Sequence, residues 1–302
     1  MSSQDYGPLL DAIRGVRWPA RRTVGAALPG AHRSHQRGTS GEFTEYRLYR
    51  QGDDPRQLDW RLLARSDRAF VRLTDDRAVL PTWFVVDASA SMAFPDTRTP
   101  NVVSKWQMAC RVAVGLGAVA HASGDPVGLI VNAPNGPLRL GARTRRGTVG
   151  EVARMLDLVG IRADGAAAAT TTLAPLLNMI PARARVVLLT DLLGDADALV
   201  KLAAQRHVAG GLVECVHVVA REELDLPSGA FVARDPDDLV LERKLDRALH
   251  ASYRTAFDAF RARASQQWRA TGAGYTEVCT DAAPARIVRQ IVGGRPSERA
   301  LT

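Results

Sequence analysis

A small set of oxygen-bearing side chains carries the chemistry of this sequence. Asp87-Ala88-Ser89-Ala90-Ser91 sets a carboxylate and two hydroxyls at spacings of two. The set closes a short apolar run, Thr82-Trp83-Phe84-Val85-Val86, so the three groups converge where the chain turns out of a strand. All are hard donors, which suit Mg²⁺, or Mn²⁺ and Ca²⁺ in its place, and not zinc. Asp191, at the tip of the run Val186-Val187-Leu188-Leu189-Thr190, offers a second carboxylate. One of Thr170, Thr171 and Thr172 adds a third hydroxyl. Mg²⁺ normally keeps several waters, so such a site leaves room for an outside ligand, such as a partner's Asp or Glu. The competing reading of the same residues is a capping aspartate followed by a serine-filled turn.

The elements that position these groups follow from periodicity. Buried strands are expected at 82–87, 127–131, 186–191 and 212–219, and a further strand at 275–279. Helical spacing marks 101–122, 148–159, about 173–180, 195–208, 239–270 and 283–292, while Arg139-Leu140 reads as the end of a small hairpin. Strands alternating with helices predict an α/β fold, a mostly parallel sheet covered by helices on both faces. Ligands of such sheets bind at the carboxyl ends of the strands, where both aspartates lie. Before this domain, at 81–295, the reading places an N-terminal arm at 1–40, with Leu9, Leu10 and Trp18 able to dock. A β-rich segment at 41–80 lies between them.

Composition removes several classes. The chain has 302 residues and a formal net charge of +8, but only Lys105, Lys201 and Lys244 among its 40 basic residues are lysines. Such an arginine bias reads as a genomic habit, and the arginines lie among acids, so nucleic acid is not an expected partner. No apolar run approaches the roughly 20 residues of a membrane span, and the first residues lack the pattern of a secretion signal. Three scattered cysteines (Cys110, Cys215, Cys279) build no disulfide framework, which suits a cytoplasmic protein. The phosphate-binding GxxxxGK[ST] and the nucleophile-elbow GxSxG are both missing. His121, His207 and His217 fall within helical or strand patterns and read as structural.

Asp87-x-Ser89-x-Ser91, a downstream threonine and Leu189-Thr190-Asp191 resemble the metal-ion-dependent adhesion site of von Willebrand factor A domains. Glu45-Tyr46-Arg47, Gly52-Asp53-Asp54-Pro55-Arg56-Gln57-Leu58-Asp59-Trp60 and Ala64-Arg65 resemble the signature of the domain-of-unknown-function-58 family, and the likeness runs from about 33 to 292. The resemblance implies a von Willebrand A-like domain that serves a MoxR-type AAA+ ATPase in chaperone-like maturation of client proteins. It also implies Asp87, Ser89, Ser91, Thr171 and Asp191 as the metal set; register against Leu173 selects Thr171, with Thr172 the alternative. Many members carry N-terminal membrane helices, and this sequence shows none, so a soluble form is expected. The function expected is therefore a non-enzymatic, metal-dependent interaction module, completed by a carboxylate of the ATPase or client. The alternative is a metal-dependent hydrolase of phosphoesters, with the ion as Lewis acid. Against it, no His or Glu stands close in sequence to either metal loop.

The signature segment reads as structural. Asp53 and Asp54 fit a turn tied by carboxylate–guanidinium bonds, while Asp59 and a buried Trp60 anchor the region to the sheet domain. Removing one partner of a buried ion pair costs about 3–5 kcal/mol. Arg56→Ala is thus expected to lower the melting temperature before it alters metal binding. Unchanged melting with loss of partner binding would make the segment an interface instead.

Overall fold

A computed structural model describes residues 5–18, 42–50, 58–66, 68–75, 79–95, 102–133, 136–159, 173–226, 232–234, 242–244 and 247–294. The chain divides into two units, one of residues 20–79 and one that joins 1–19 to 80–302. In the smaller unit, β1 (Glu42–Leu48) and β2 (Phe70–Asp75) pair antiparallel, with a register shift between Phe43 and Glu45. The helix α2 (Trp60–Ser66) begins at Asp59, whose Oδ1 accepts from the amides of Arg61 and Leu62, both at 3.0 Å. Asp59 is therefore a helix cap. Trp60, expected to be buried, is 63% exposed: it holds the first position of α2, before any side of the helix is covered. Of the other signature residues, Arg65 is exposed in the last turn of α2, and Tyr46 and Arg47 belong to β1. Gly52, Asp53, Asp54 and Arg56 lie outside the described residues.

The larger unit is built on a six-stranded sheet. Its strands are β3 (Thr82–Asp87), β4 (Val127–Ala133), β5 (Gly136–Arg143), β6 (Arg185–Thr190), β7 (Leu212–Val219) and β10 (Gly274–Cys279). They lie in the order β10-β7-β6-β3-β4-β5, all parallel except β5, which pairs antiparallel with β4. The Arg139-Leu140 hairpin is thus a full eight-residue edge strand. β3 and β6 are buried along their whole length because both of their faces are covered. Phe84, Val86, Val187 and Leu189 enter one cluster with α1 (Gly7–Ala12), α3 (Lys105–Ala122), α4 (Thr148–Val159) and α9 (Pro284–Gly293). Trp83, Val85, Val186 and Leu188 enter the other, with α5 (Ala174–Leu177), α6 (Ala196–Val208) and α8 (Arg247–Ala270). The alternation along each strand divides its side chains between the two layers.

Among the boundaries that differ from the periodicity reading, the helix expected at about 173–180 is only Ala174–Leu177, and two helix starts have a local cause. α3 starts at Lys105 because Ser104 caps it: the Ser104 hydroxyl accepts from the Gln107 amide, and the Gln107 side chain accepts from the Ser104 amide. The helix expected at 239–270 begins at Arg247, since Glu242–Lys244 forms β9 and pairs with β8 (Val232–Arg234). Local strand pairing overrides the apolar spacing there.

The amino ends of the strands are closed by a buried ion pair. Arg185 Nη1 donates to Asp125 Oδ2 at 3.1 Å and to Thr82 Oγ1 at 3.2 Å, while Asp125 Oδ1 accepts from the Leu80 amide. The Trp18 ring lies against this guanidinium, 4.2 Å from centroid to Cζ, and its amide donates to Ser123 Oγ. Residues 5–18 are accordingly packed into the sheet unit through Tyr6, Ile13 and Trp18. Asp125→Ala removes the carboxylate from a guanidinium that is 2% exposed, and urea denaturation is expected to show a loss of about 3–5 kcal/mol. Wild-type stability in that variant would show that the pair does not close this end of the sheet.

Candidate metal site at the strand ends

Strand order reverses at β3 and β6: the chain moves from β3 to β4 on one side and later returns to β6 on the other. Ligands of such sheets bind beyond the carboxyl ends at a switch point, and there Asp87 closes β3 while Asp191 directly follows β6. Asp87 Oδ1 accepts from the Ser89 amide at 2.9 Å, and its Oδ2 accepts from the Thr190 hydroxyl at 2.7 Å. Ser89 then opens a 3-10 turn, Ala90–Ala93, that brings its hydroxyl to 3.0 Å from that of Ser91. Ser91 also donates to Asp191. Asp87, Ser89, Ser91 and Asp191 are thus gathered into one cluster. Thr170, Thr171 and Thr172 lie outside the described residues.

The loop after β6 is held by its own side chains. Thr190 Oγ1 accepts from the Leu192 amide at 3.1 Å, and Asp191 Oδ1 accepts from the Leu193 amide at 3.2 Å. Leu192 adopts φ +60°, a left-handed conformation that disfavours a branched side chain, and it is fixed there by burial in the core.

Electrostatics separates the two carboxylates. Burial, with the neighbouring Asp191 charge, pushes the Asp87 carboxyl up to about 6. Burial alone would raise Asp191 as well. Lys105 overrides it and holds Asp191 below the usual carboxylate range, its Nζ donating to Asp191 Oδ2 at 2.8 Å. The same ammonium donates to Glu223 Oε1 at 2.7 Å, and Glu223 Oε2 accepts from the Ala220 amide at the start of α7 (Arg221–Leu224). Desolvation draws the Lys105 ammonium down, but its two carboxylates outweigh that and keep it above the ordinary lysine value. Among the described residues, no cationic side chain pairs with Asp87.

Sequence reasoning did not find Lys105 or Glu223. Thr190 stands in the Leu189-Thr190-Asp191 motif, but its bond to Asp87 is not encoded in local spacing. Glu223 reaches the cluster because β7 runs beside β6, a juxtaposition that no local spacing encodes. Lys105 carried a signal: a cation at a helix N-terminus opposes the helix dipole and needs a compensating partner. His217, opposite Thr190 in the ladder, bonds the Asp191 backbone and shares 2.7 Å with the Tyr275 hydroxyl through Nδ1. Burial pulls its ring down to about 4, so it is a neutral support for the end of β6.

The donor set fits a hard divalent cation. It consists of carboxylate and hydroxyl oxygens only. With every group ionised, the carboxylates of Asp87, Asp191 and Glu223 and the ammonium of Lys105 leave two negative charges, which one divalent cation cancels. Among the described residues no three His, Cys, Asp or Glu side chains gather as metal ligands, so the serine hydroxyls must contribute to any shell.

Strand order and site define an α/β protein with a mostly parallel six-stranded sheet and an acidic, hydroxyl-rich centre at the switch point. The chain belongs to the family described as protein of unknown function DUF58, whose pattern matches residues 45–267. Uncharacterized proteins of Mycobacterium tuberculosis and Mycobacterium bovis are each 28% identical over 286 residues, covering 92% of this chain and 86% of the relative. Among solved structures, the conserved hypothetical protein BatB from Bacteroides thetaiotaomicron shares 17% identity, with a TM-score of 0.45 over 71% of this chain and 97% of its own. The SpRpn10 VWA domain shares 12%, with a TM-score of 0.36 over 71% and 96%.

Thr190→Val keeps the shape of the side chain and removes both its bonds, one of them to a carboxylate. Hydrogen bonds to charged groups contribute about 1.5–3 kcal/mol, and denaturant unfolding of this variant is expected to show a loss of that size. Unaltered stability would mean that Asp87 is not held from β6.

Proposed function

We propose that the chain is a divalent-cation-dependent protein-interaction module that serves a MoxR-type AAA+ ATPase in the maturation of client proteins. The observation that carries the proposal is the asymmetry at the switch point. Asp191 has a built-in cation, whereas Asp87 is met by the Thr190 and Ser89 hydroxyls, with Ser91 beside Ser89, and has no cation of its own among the described residues. Asp87, Ser89 and Ser91 would hold Mg²⁺, or Mn²⁺ or Ca²⁺, with Asp191 and Thr171 bound directly or through water. When bound, the ion offers an open coordination position to a carboxylate of the partner.

The surroundings support docking of a protein. Phe94, after the serine turn, and Leu193, after Asp191, are 39% and 51% exposed. They supply apolar contact beside a charged anchor, the mixture typical of interface cores with polar rims. The MoxR partner rests on the family resemblance, and the cytoplasmic setting on cysteines that build no disulfide framework. Among the described residues, no helix is long and apolar enough to cross a membrane.

Hydrolysis of a phosphoester is the second reading. Topology does bring a Glu and a His near the cluster, which local sequence did not show. Both oxygens of Glu223 are engaged, however, and His217 is 1% exposed and bonded to Tyr275. Neither is a poised general base, which favours an interaction site.

Calorimetric titration with MgCl₂ is expected to show binding by the wild type and none by Asp87→Ala, whose circular dichroism stays native. Undiminished affinity in that variant rules out the site. If a partner carboxylate enters the ion's shell, the two affinities strengthen each other, by roughly 5- to 150-fold for a coupling of ~1–3 kcal/mol. Chelation with EDTA is then expected to release the ATPase or client, and Ser89→Ala to weaken the association. Association indifferent to both would leave a scaffold without a metal gate. Phosphoester turnover that is lost in Asp191→Ala would favour the hydrolase.

A further inference from the structure

We propose that Lys105 and Glu223 set the charge of the cation site in opposite senses: Lys105 is a resident counter-cation that weakens divalent binding, and Glu223 offsets it. The inference rests on the cation-site reading above. It assigns a role to two residues that the signature and the adhesion-site pattern do not contain.

The geometry begins with an unusual placement. Lys105 occupies the first position of α3, where the exposed backbone amides already carry partial positive charge. Its side chain is 1% exposed and its ammonium meets two carboxylates, Asp191 at 2.8 Å and Glu223 at 2.7 Å. A buried lysine persists only where such partners repay its desolvation. The triad satisfies Asp191 without any ion, so the cation-free fold is not left with two bare carboxylates side by side.

That same arrangement opposes an incoming ion. A divalent cation that reaches Asp87, Ser89 and Ser91 also approaches Asp191, and with it the Lys105 charge, in a poorly solvated crevice where like charges repel strongly. Glu223 lies on the far side of the ammonium from Asp191 in the bonding chain, and it cancels part of that repulsion. Its own place is fixed, because its other oxygen closes onto the Ala220 amide. The affinity of the site is therefore tuned by residues that need not touch the ion. A weakly loaded ion is one that a partner's carboxylate can complete.

The experiment is calorimetric titration of the full chain with MgCl₂ and with MnCl₂, in wild type, Lys105→Met, Glu223→Gln and the double variant. Charge tuning predicts that Lys105→Met tightens binding and Glu223→Gln weakens it, each by at least about fivefold. The double variant restores the wild-type net charge and is expected to return to within about threefold of the wild-type affinity. A purely structural role for the triad predicts weakening in both single variants, and that result, or no change in either, overturns the proposal. Should Lys105→Met fail to fold, the decision passes to the other two. Weakening by Glu223→Gln that is reversed in the double variant supports charge tuning, and weakening that persists or deepens overturns it. Absence of binding by the wild type would instead overturn the cation-site reading itself, and this inference with it.

Discussion

Two carboxylates that end neighbouring buried strands must be kept from destabilising each other, and much of the structure around them serves that requirement. Asp87 and Asp191 are 7% and 3% exposed, and the Asp191 charge acts on Asp87. One is answered by a buried ammonium and the other by a threonine hydroxyl and a backbone amide. Those answers come from the N-terminus of α3, the end of β6 and the turn after β7. Cap, register and strand order must all be right for both carboxylates to meet these partners. The capping box at Ser104 fixes where α3 begins and so delivers Lys105 to the crevice.

The two ends of the sheet solve similar problems differently. At the amino end, Arg185 and Asp125 form a closed pair beneath Trp18, and that arrangement serves stability. At the carboxyl end, among the described residues, three carboxylates share one ammonium, and Phe94 and Leu193 near them in the chain are exposed. Unpaired buried charge lowers stability, and its retention at one end only is what the proposed cation site would explain.

Much of this was legible in the sequence for physical reasons. A strand covered on both faces must be apolar at every position, so Phe84–Val86 and Val186–Leu189 stand out, and an acid that closes such a run lies at the carboxyl end of the strand. Helices α4 and α6 announce themselves by spacing. The start of α3 was misplaced by four residues because apolar periodicity at Val102 and Val103 was weighed above the Ser104-x-x-Gln107 cap. Lys105 was hidden by composition, as one of three lysines among many arginines. Its position against the helix dipole was the informative feature. Glu223 was illegible, since only the adjacency of β6 and β7 brings it to Asp191. Trp60 misled because it was taken as an anchor of the signature segment, whereas at the first position of a short helix it is exposed.

The central claim is that the strand-end cluster binds a hard divalent cation at Asp87, Ser89 and Ser91. Anomalous diffraction from crystals grown with MnCl₂, recorded on both sides of the manganese edge, locates such an ion without recourse to activity. The account predicts a manganese peak at direct bonding distance from the Asp87 carboxylate and at least one of the two serine hydroxyls, with Lys105 still facing Asp191. Crystals that hold manganese elsewhere, or that show no peak beside Asp87 at millimolar MnCl₂, would contradict it.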